Sequence, residues 1–375
     1  MTRPLGLYLA NLDLEAQHAL GVAKKIRSQM AALEAALGPV QLAYPSGGRV
    51  LLDGEIILDI GESLSARRRT SLYGYYERIG RDGAPWDYVY LRYGRTSAFV
   101  LRMLARLKRA NPRLRVFIEL PSFPYSTEAV GFRDRMFTLT DRFFRNFLRH
   151  NTDRIVTFSH KEIILGVPTI QTDNGVDVVA LEVTPQPPTV NAIRLLGLAN
   201  LSFWHGYDRV IAGLAAYRAA GGSRPVVFDV VGTGRELARL QHDASRLGLE
   251  DVVRFHGSRV GAELDSIVAG CHIGVSSIGM HRLVVDTSNL KSREFCARGL
   301  PFVIAYPDRD FPPAFPWAFH APEDDSPLDI GALLDFHAGL APGFQSGMRA
   351  YAEENLTWTA KMAPVVAEIR TLTRA

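Results

Sequence analysis

The chain is 375 residues long, 47% hydrophobic and 22% charged, with 43 basic and 39 acidic residues and a net charge of +4. At roughly 100–200 residues per domain, this length points to two domains with sizeable cores. The composition excludes long disorder, and two cysteines, Cys271 and Cys296, exclude a disulfide scaffold and offer no metal-ligand spacing with histidines.

A reducing compartment fits that cysteine usage. The N-terminus meets acidic residues before an apolar signal core is complete, and no 18-residue stretch lacks charge. Neither a signal peptide nor a spanning helix is expected. The expectation is a cytoplasmic protein, soluble or peripheral on the inner face of the cell membrane.

Short β-branched and aromatic runs alternate with helical periodicity, the pattern of βα units around a parallel sheet. In the first half, strands are predicted at 5–10, 40–44, 86–92, 115–120 and 154–158, with helices at 21–36, 64–79, 97–110 and 128–150. In the second half, strands are predicted at 193–199, 226–231, 252–256, 272–276 and 301–305, with helices at 206–220, 234–247, 261–269 and 290–298. Between the halves, residues 183–190 (VTPQPPTV) hold three prolines. Prolines remove the donors that a continuing strand or helix needs, so this segment reads as an interdomain linker. Residues 343–373 are helical again, with a break around Asn355 to Trp358. Two doubly wound domains in series predict a ligand site between them, at the carboxyl ends of two parallel sheets.

Charge is uneven: residues 1–180 carry 25 basic and 18 acidic residues, whereas 181–375 carry 18 and 21. The predicted helix 128–150 interleaves Arg133, Arg135, Arg142, Arg145 and Arg149 with Phe137, Phe143, Phe144 and Phe147. Such a helix either lies on an anionic membrane or packs as an amphipathic element with a solvated basic face. No finger spacing, RNP-type motif or polybasic tail points to nucleic acid. The triplet Arg67-Arg68-Arg69 alone reads as a solvated turn.

Two segments carry chemistry. Val231-Gly232-Thr233-Gly234 follows a strand and precedes a helix, where glycines let backbone approach a ligand or simply make a tight turn. In Asp286 to Phe302, Ser288 or Asn289 can cap a helix starting near Leu290, so its free amides and positive end attract a diphosphate. Lys291 in the first turn opposes the helix dipole, which a bound anion would relieve. Glu294, one turn on, can accept hydrogen bonds from a ribose diol, and Asp286 can do so for sugar hydroxyls. No Ser-His-Asp or Cys-His pairing is apparent, and no metal site is expected.

Asn174-Gly175-Val176-Asp177, Trp204 to Arg209 (WHGYDR), VGTGRE (231–236), LGLEDVVRFHG (247–257) and DTSNLKSREFCARGLPFV (286–303) occur in an order and spacing that resemble GT-B glycosyltransferases of family four. With ELPSFPYSTE (119–128), the chain looks like the branch that builds bacterial capsular and exopolysaccharides.

The resemblance implies an α/β GT-B fold: two Rossmann-like doubly wound domains facing an interdomain cleft. Residues 1–185 form an acceptor domain, 186–355 a nucleotide-sugar domain, and 356–375 a helix crossing back to the first. It implies a retaining, metal-independent transfer from a nucleotide-diphosphate sugar, UDP before GDP, to a glycan or lipid-linked glycan in cell-surface polysaccharide synthesis, with no cofactor. Catalytic roles fall on Lys291, Arg209, Glu119 and Asp286. Donor contacts fall on Gly21, Val22, His205, Gly232, Gly234, Ser288, Asn289, Leu290, Lys291 and Glu294, and acceptor contacts on Tyr125 and Glu128.

The chain departs from the family pattern in several places. Asp286 stands where Glu is usual, Asn200 or Ala199 near an arginine position, and His205 where a lysine precedes glycine. Gly21 is one glycine where the family often has two. Arg209, four residues after His205, is expected to replace the missing cation by sharing a helix face with it. Two rival readings are a catalytically silent partner subunit, which the absent Arg/Lys pair favours, and a sugar-nucleotide epimerase of the same fold.

Overall fold

The runs GLYLA, YVYLR and RVFIEL are apolar at nearly every position, and all three become strands buried on both faces, β1 (Gly6–Ala10), β5 (Tyr88–Arg92) and β6 (Arg115–Leu120). The computed structural model describes residues 3–16, 19–81, 83, 85–94, 96–123, 140–185, 187–188, 192–283 and 288–374. These divide into two units, Met1–Asp173 with Val285–Ser288 and Trp358–Ala375, and Asn174–Val284 with Asn289–Thr357.

In the first unit, β1, β5 and β6 are joined by β2 (Val40–Ser46), β3 (Arg49–Leu52), β4 (Glu55–Asp59), β7 (Arg154–Thr157), β8 (Ile163–Ile164) and β9 (Val167–Gln171). Among the described residues the order is β4-β3-β2-β1-β5-β6-β7-β9-β8, parallel from β2 to β9 with antiparallel edges. One face packs Leu7, Leu9, Val89 and Leu91 against Met103, Leu104 and Leu107 of helix Ala98–Ala110. The other face packs Tyr8, Tyr88 and Tyr90 against Ala23, Ile26 and Leu33 of α1 (Leu20–Leu37), and against Met362, Val365 and Ile369. The C-terminal helix Trp358–Arg374 therefore completes the first unit's core.

In the second unit, β10 (Ile193–Leu198), β11 (Val226–Val231), β12 (Val253–Gly257), β13 (Ile273–Val275), β14 (Phe302–Ile304) and β15 (Ala318–His320) form an all-parallel sheet ordered β12-β11-β10-β13-β14-β15. The order reverses at β10, a topological switch point, where open α/β sheets leave a crevice outside the strands' carboxyl ends.

The predicted strands and most helices coincide with these elements. The boundary differs: the units part at Asp173/Asn174, not after 185. Val176 and Val178 already pack in the second unit's core, Val176 N–H donates to Leu356 O at 2.8 Å, and Thr184 N–H donates to Arg298 O at 2.8 Å. Of the predicted helix 128–150, residues 128–139 lie outside the described residues. The rest is one helical turn followed by a 3₁₀ turn, Arg145–His150. Phe143 and Phe147 there are 63% and 45% exposed.

Candidate functional site

A pocket of about 310 Å³ opens at the carboxyl ends of β10, β11 and β12. Its lining comes from Leu198 to Asn200, Val231 to Thr233, Ser258, Arg259, Lys291 and Glu294. Gly232 lines it, and Gly234 lies two residues on in the same loop. Gly232 (φ +125°) and Gly234 (φ +153°) sit where L side chains are strained, and an added Cβ would meet Ala199 O at 1.8 Å and Leu201 O at 2.3 Å. They let this loop lie against the β10 loop, where Leu201 N–H donates to Thr233 O at 2.7 Å.

Helix Leu290–Ala297 brings Lys291 and Glu294 to the pocket. Its N-cap, Asn289, makes no side-chain hydrogen bond to the first turn. The helix is held firmly from behind. Ser292 Oγ lies 2.8 Å from Ser276 Oγ and 2.9 Å from Tyr306 OH, at the ends of β13 and β14. The fully buried Arg293 makes two 3.0 Å bonds to Asp308, a third ion pair to Asp310, and a 2.9 Å bond to Asn289 O.

Lys291 is half-buried, and among the described residues no carboxylate forms an ion pair with it. Burial pulls its pKa down to about 7, with the charge of Glu294 opposing the fall. His205 is buried, and its Nδ1 accepts Ser202 N–H at 3.0 Å, which leaves the neutral ring's proton on Nε2. Burial, then the neighbouring Lys291, pushes its pKa down to about 3. His205 is therefore not a cation. The second cation at the pocket is Arg259, 43% exposed and 3.5 Å from Glu263. The sequence reading missed it, although its place just after β12 at Gly257-Ser258 is the edge where ligand residues gather.

Arg209 departs from expectation. It is 1% exposed and donates to Ser326 O at 2.7 Å, Pro322 O at 3.0 Å and Ile278 O. Gly206 adopts φ +68° between His205, in a 3₁₀ turn, and the helix Tyr207–Ala219, so the two residues share no helix face. Arg209 ties loops of the second unit together and does not line the pocket. His256, at the end of β12, lies with Nε2 2.7 Å from the buried Asp229 and does not line the pocket.

Glu119 is also closed. It is fully buried at the end of β6, with Oε1 3.0 Å from Lys25 Nζ and 2.8 Å from Arg92 Nη1. Its Oε2 accepts from Gln29 and Tyr90, both at 2.7 Å. Burial raises its pKa, but Lys25, Arg92 and these donors outweigh that and bring it down to about 2. Its carboxylate holds α1 to the sheet and is not free for substrate. Gly21, in the first turn of α1, is exposed, and an added Cβ there would meet nothing within 4 Å. Val22 packs partly against the same core as α1. Asp286, Tyr125 and Glu128 lie outside the described residues.

Among the described residues, no group of three His, Cys, Asp or Glu is placed to hold a metal ion, and no helix is long and apolar enough to cross a membrane. Both cysteines are buried, and burial raises the Cys271 thiol to about 12.

No family model and no curated protein matches the chain. Solved structures do. The chain is similar to the Anabaena protein Alr3699/HepE in complex with UDP, at 15% identity over 99% of this chain and 100% of that one, with a TM-score of 0.61. It is similar to sucrose-phosphate synthase from Thermosynechococcus elongatus at 14% identity, covering 100% and 98%, with a TM-score of 0.65. It also resembles the lipopolysaccharide outer core galactosyltransferase WaaB at 12% identity, covering 98% and 99%, with a TM-score of 0.57. At such identities the likeness establishes the fold, which is GT-B.

Proposed function

We propose that the chain is a glycosyltransferase that takes a sugar from a nucleotide-diphosphate donor. The observation that carries this reading is Lys291: a half-buried cation with no ion-pair partner among the described residues, in the first turn of a helix whose N-cap side chain makes no bond to that turn, in a pocket at the sheet's switch point. Desolvating an unpaired cation is unfavourable unless an anion arrives. A diphosphate there would receive the first-turn amides of helix Leu290–Ala297, Lys291 and Arg259 together.

In the proposed reaction the donor's anomeric bond breaks and the leaving diphosphate takes the negative charge. Lys291, Arg259, Asn289, Leu290 and the first-turn amides stabilise that charge, which is the transition-state contribution this site can make. On the face that the phosphate leaves, the acceptor oxygen bonds to the anomeric carbon while its proton passes to the leaving phosphate, giving retention without a protein nucleophile or a metal. Glu294 accepts from the ribose diol, and Ser288 and Asp286 from sugar hydroxyls. The neutral His205 offers an Nε2–H donor rather than a charge. UDP is the preferred nucleotide, supported by the Anabaena relative solved with it.

The acceptor is a glycan or lipid-linked glycan reached through Tyr125 and Glu128 in the first unit. Peripheral membrane contact is supported by exposed Phe143 and Phe147 beside Arg142 and Arg149. The uncharged His205 favours one rival, a catalytically silent partner.

A thermal-shift panel of nucleotides and nucleotide sugars tests the reading, since a ligand at about 100 times its Kd adds about 2.7 kcal/mol of stability. A UDP shift with slow UDP release from one UDP-sugar supports the transferase. A shift without turnover supports the silent partner, and no shift with any nucleotide overturns both.

A further inference from the structure

A second cavity, of about 290 Å³, lies in the first unit between β4 and the helical run 64–81. It sits at the sheet edge, three strands from β1. The helical run is a six-residue helix, Leu64–Arg69, a π-helical turn, Thr70–Gly74, and a further turn, Tyr75–Ile79. Residues 69, 73, 77, 78 and 81 follow one another at roughly helical spacing and share the face that lines the cavity, while Tyr75, Tyr76 and Ile79 fill the core behind it. A π turn inside a helix often marks a functional position.

The lining is cationic. Arg69, Arg78 and Arg81 reach it, against one carboxylate, Glu77. Among the described residues, Arg69 and Arg81 make no ion pair, whereas Arg78 Nε donates to Ile57 O at 2.7 Å. The hydroxyl-bearing Ser63 and Ser65 close one side, and Leu58 and Ile60 give it an apolar flank. Outside, Leu64 and Ile56 are 69% and 52% exposed. The guanidinium groups of Arg69 and Arg81, in no ion pair among the described residues, share one concave surface with hydroxyls and match the geometry of a phosphate. The apolar flank matches a carbon skeleton attached to it.

We propose that this cavity binds a phosphate ester, held by Arg69, Arg81 and Arg78, with its organic portion against Leu58 and Ile60. The ester comes either from a phospholipid headgroup or from a soluble metabolite. Its lining shares no residue with the pocket at Lys291, and the proposal does not depend on the function proposed above.

The test compares wild type, R69A/R81A and R67A/R68A in two arms. One is co-sedimentation with phosphatidylcholine vesicles with and without phosphatidylglycerol, and the other is calorimetric titration with glycerol 1-phosphate. All four arginines are exposed, so the variants leave the core intact, and unchanged thermal unfolding confirms it. The control pair removes the same amount of charge, from the helix that carries Arg69, without touching the cavity lining. Binding in either arm that falls about tenfold or more in R69A/R81A and much less in R67A/R68A supports the site. The arm in which it falls names the source. No binding in either arm, no loss in R69A/R81A, or equal loss in both variants overturns it.

Discussion

Lys25 and Lys291 are both lysines on helices of a parallel-sheet unit, and both are pulled by burial below the usual lysine range, to about 8 and about 7. Their surroundings differ. Lys25 lies 3.0 Å from Glu119, inside a set in which each carboxylate oxygen has two partners, and its ammonium sits 4.5 Å from the Phe158 ring centroid. Lys291 has a pocket in front of it and no ion-pair partner among the described residues. A closed cluster of charges is architecture, because every desolvated group is compensated within the fold. A cation left open has its compensation still to come, from a ligand.

The largest effect should come from breaking the closed cluster. Glu119→Ala strands Lys25 and Arg92, and removing one partner of a buried ion pair costs about 3–5 kcal/mol. Urea denaturation reads this directly. The same carboxylate sets an acid limit. Its folded pKa, about 2, is depressed from 4.5, so its contribution is complete above pH 4.5 and disappears as pH falls toward 2. Glu119→Gln should flatten that part of the stability profile. A profile unchanged by Glu119→Gln would mean that the cluster is not the support for α1 described here.

At the open lysine the expected pattern is the reverse. Lys291→Ala should leave folding stability intact or raised while weakening UDP binding by about 1.5–3 kcal/mol, the worth of a charge-assisted contact. Calorimetry on the variant decides this, and undiminished UDP affinity would remove Lys291 from the site. The pH dependence sharpens the contrast. With a free-state pKa of about 7, Lys291 takes up a proton when a diphosphate binds, so affinity should fall as pH climbs above 7. Lys291→Arg, charged at every accessible pH, should hold its affinity flat over that range. For stability the sign is opposite. The unfolded lysine keeps its proton to about 10.5, so the folded state gains on the unfolded one as pH rises from 7 toward 10.5.

The sequence made the strands of both sheets legible, because buried parallel strands are unbroken apolar runs. It also made the helix at Leu290 and its lysine legible, because capping and dipole rules are local. The hairpin β3–β4 escaped, although its signal was there: Asp53 and Gly54 at φ +50° and +85° form the two-residue turn that Asp-Gly favours. The roles assigned to Arg209 and Glu119 failed for a different reason. Helical spacing across Gly206 assumed a continuous helix, and the left-handed glycine interrupts it. Glu119 was assigned its role through the resemblance carried by residues 119–128, yet what it meets in the fold, Lys25, Gln29 and Arg92, comes from distant parts of the chain. Local pattern locates a charge, and only packing shows whether that charge is already satisfied.

The smallest effect tests the start of α1. Gly21 is in the first helical turn, where glycine holds no special backbone angle and an added methyl would meet open space. Gly21→Ala should therefore stabilise the protein by about 0.4–1 kcal/mol, through a less disordered unfolded chain. If glycine is there so that backbone can come close to a donor phosphate, the same methyl should lower kcat/KM while Tm rises. A rise in Tm with unchanged kinetics would make Gly21 an incidental residue of the helix and leave the phosphate seat wholly to the 290–297 helix. Opposite movement of the two readouts would give Gly21 a part in donor binding.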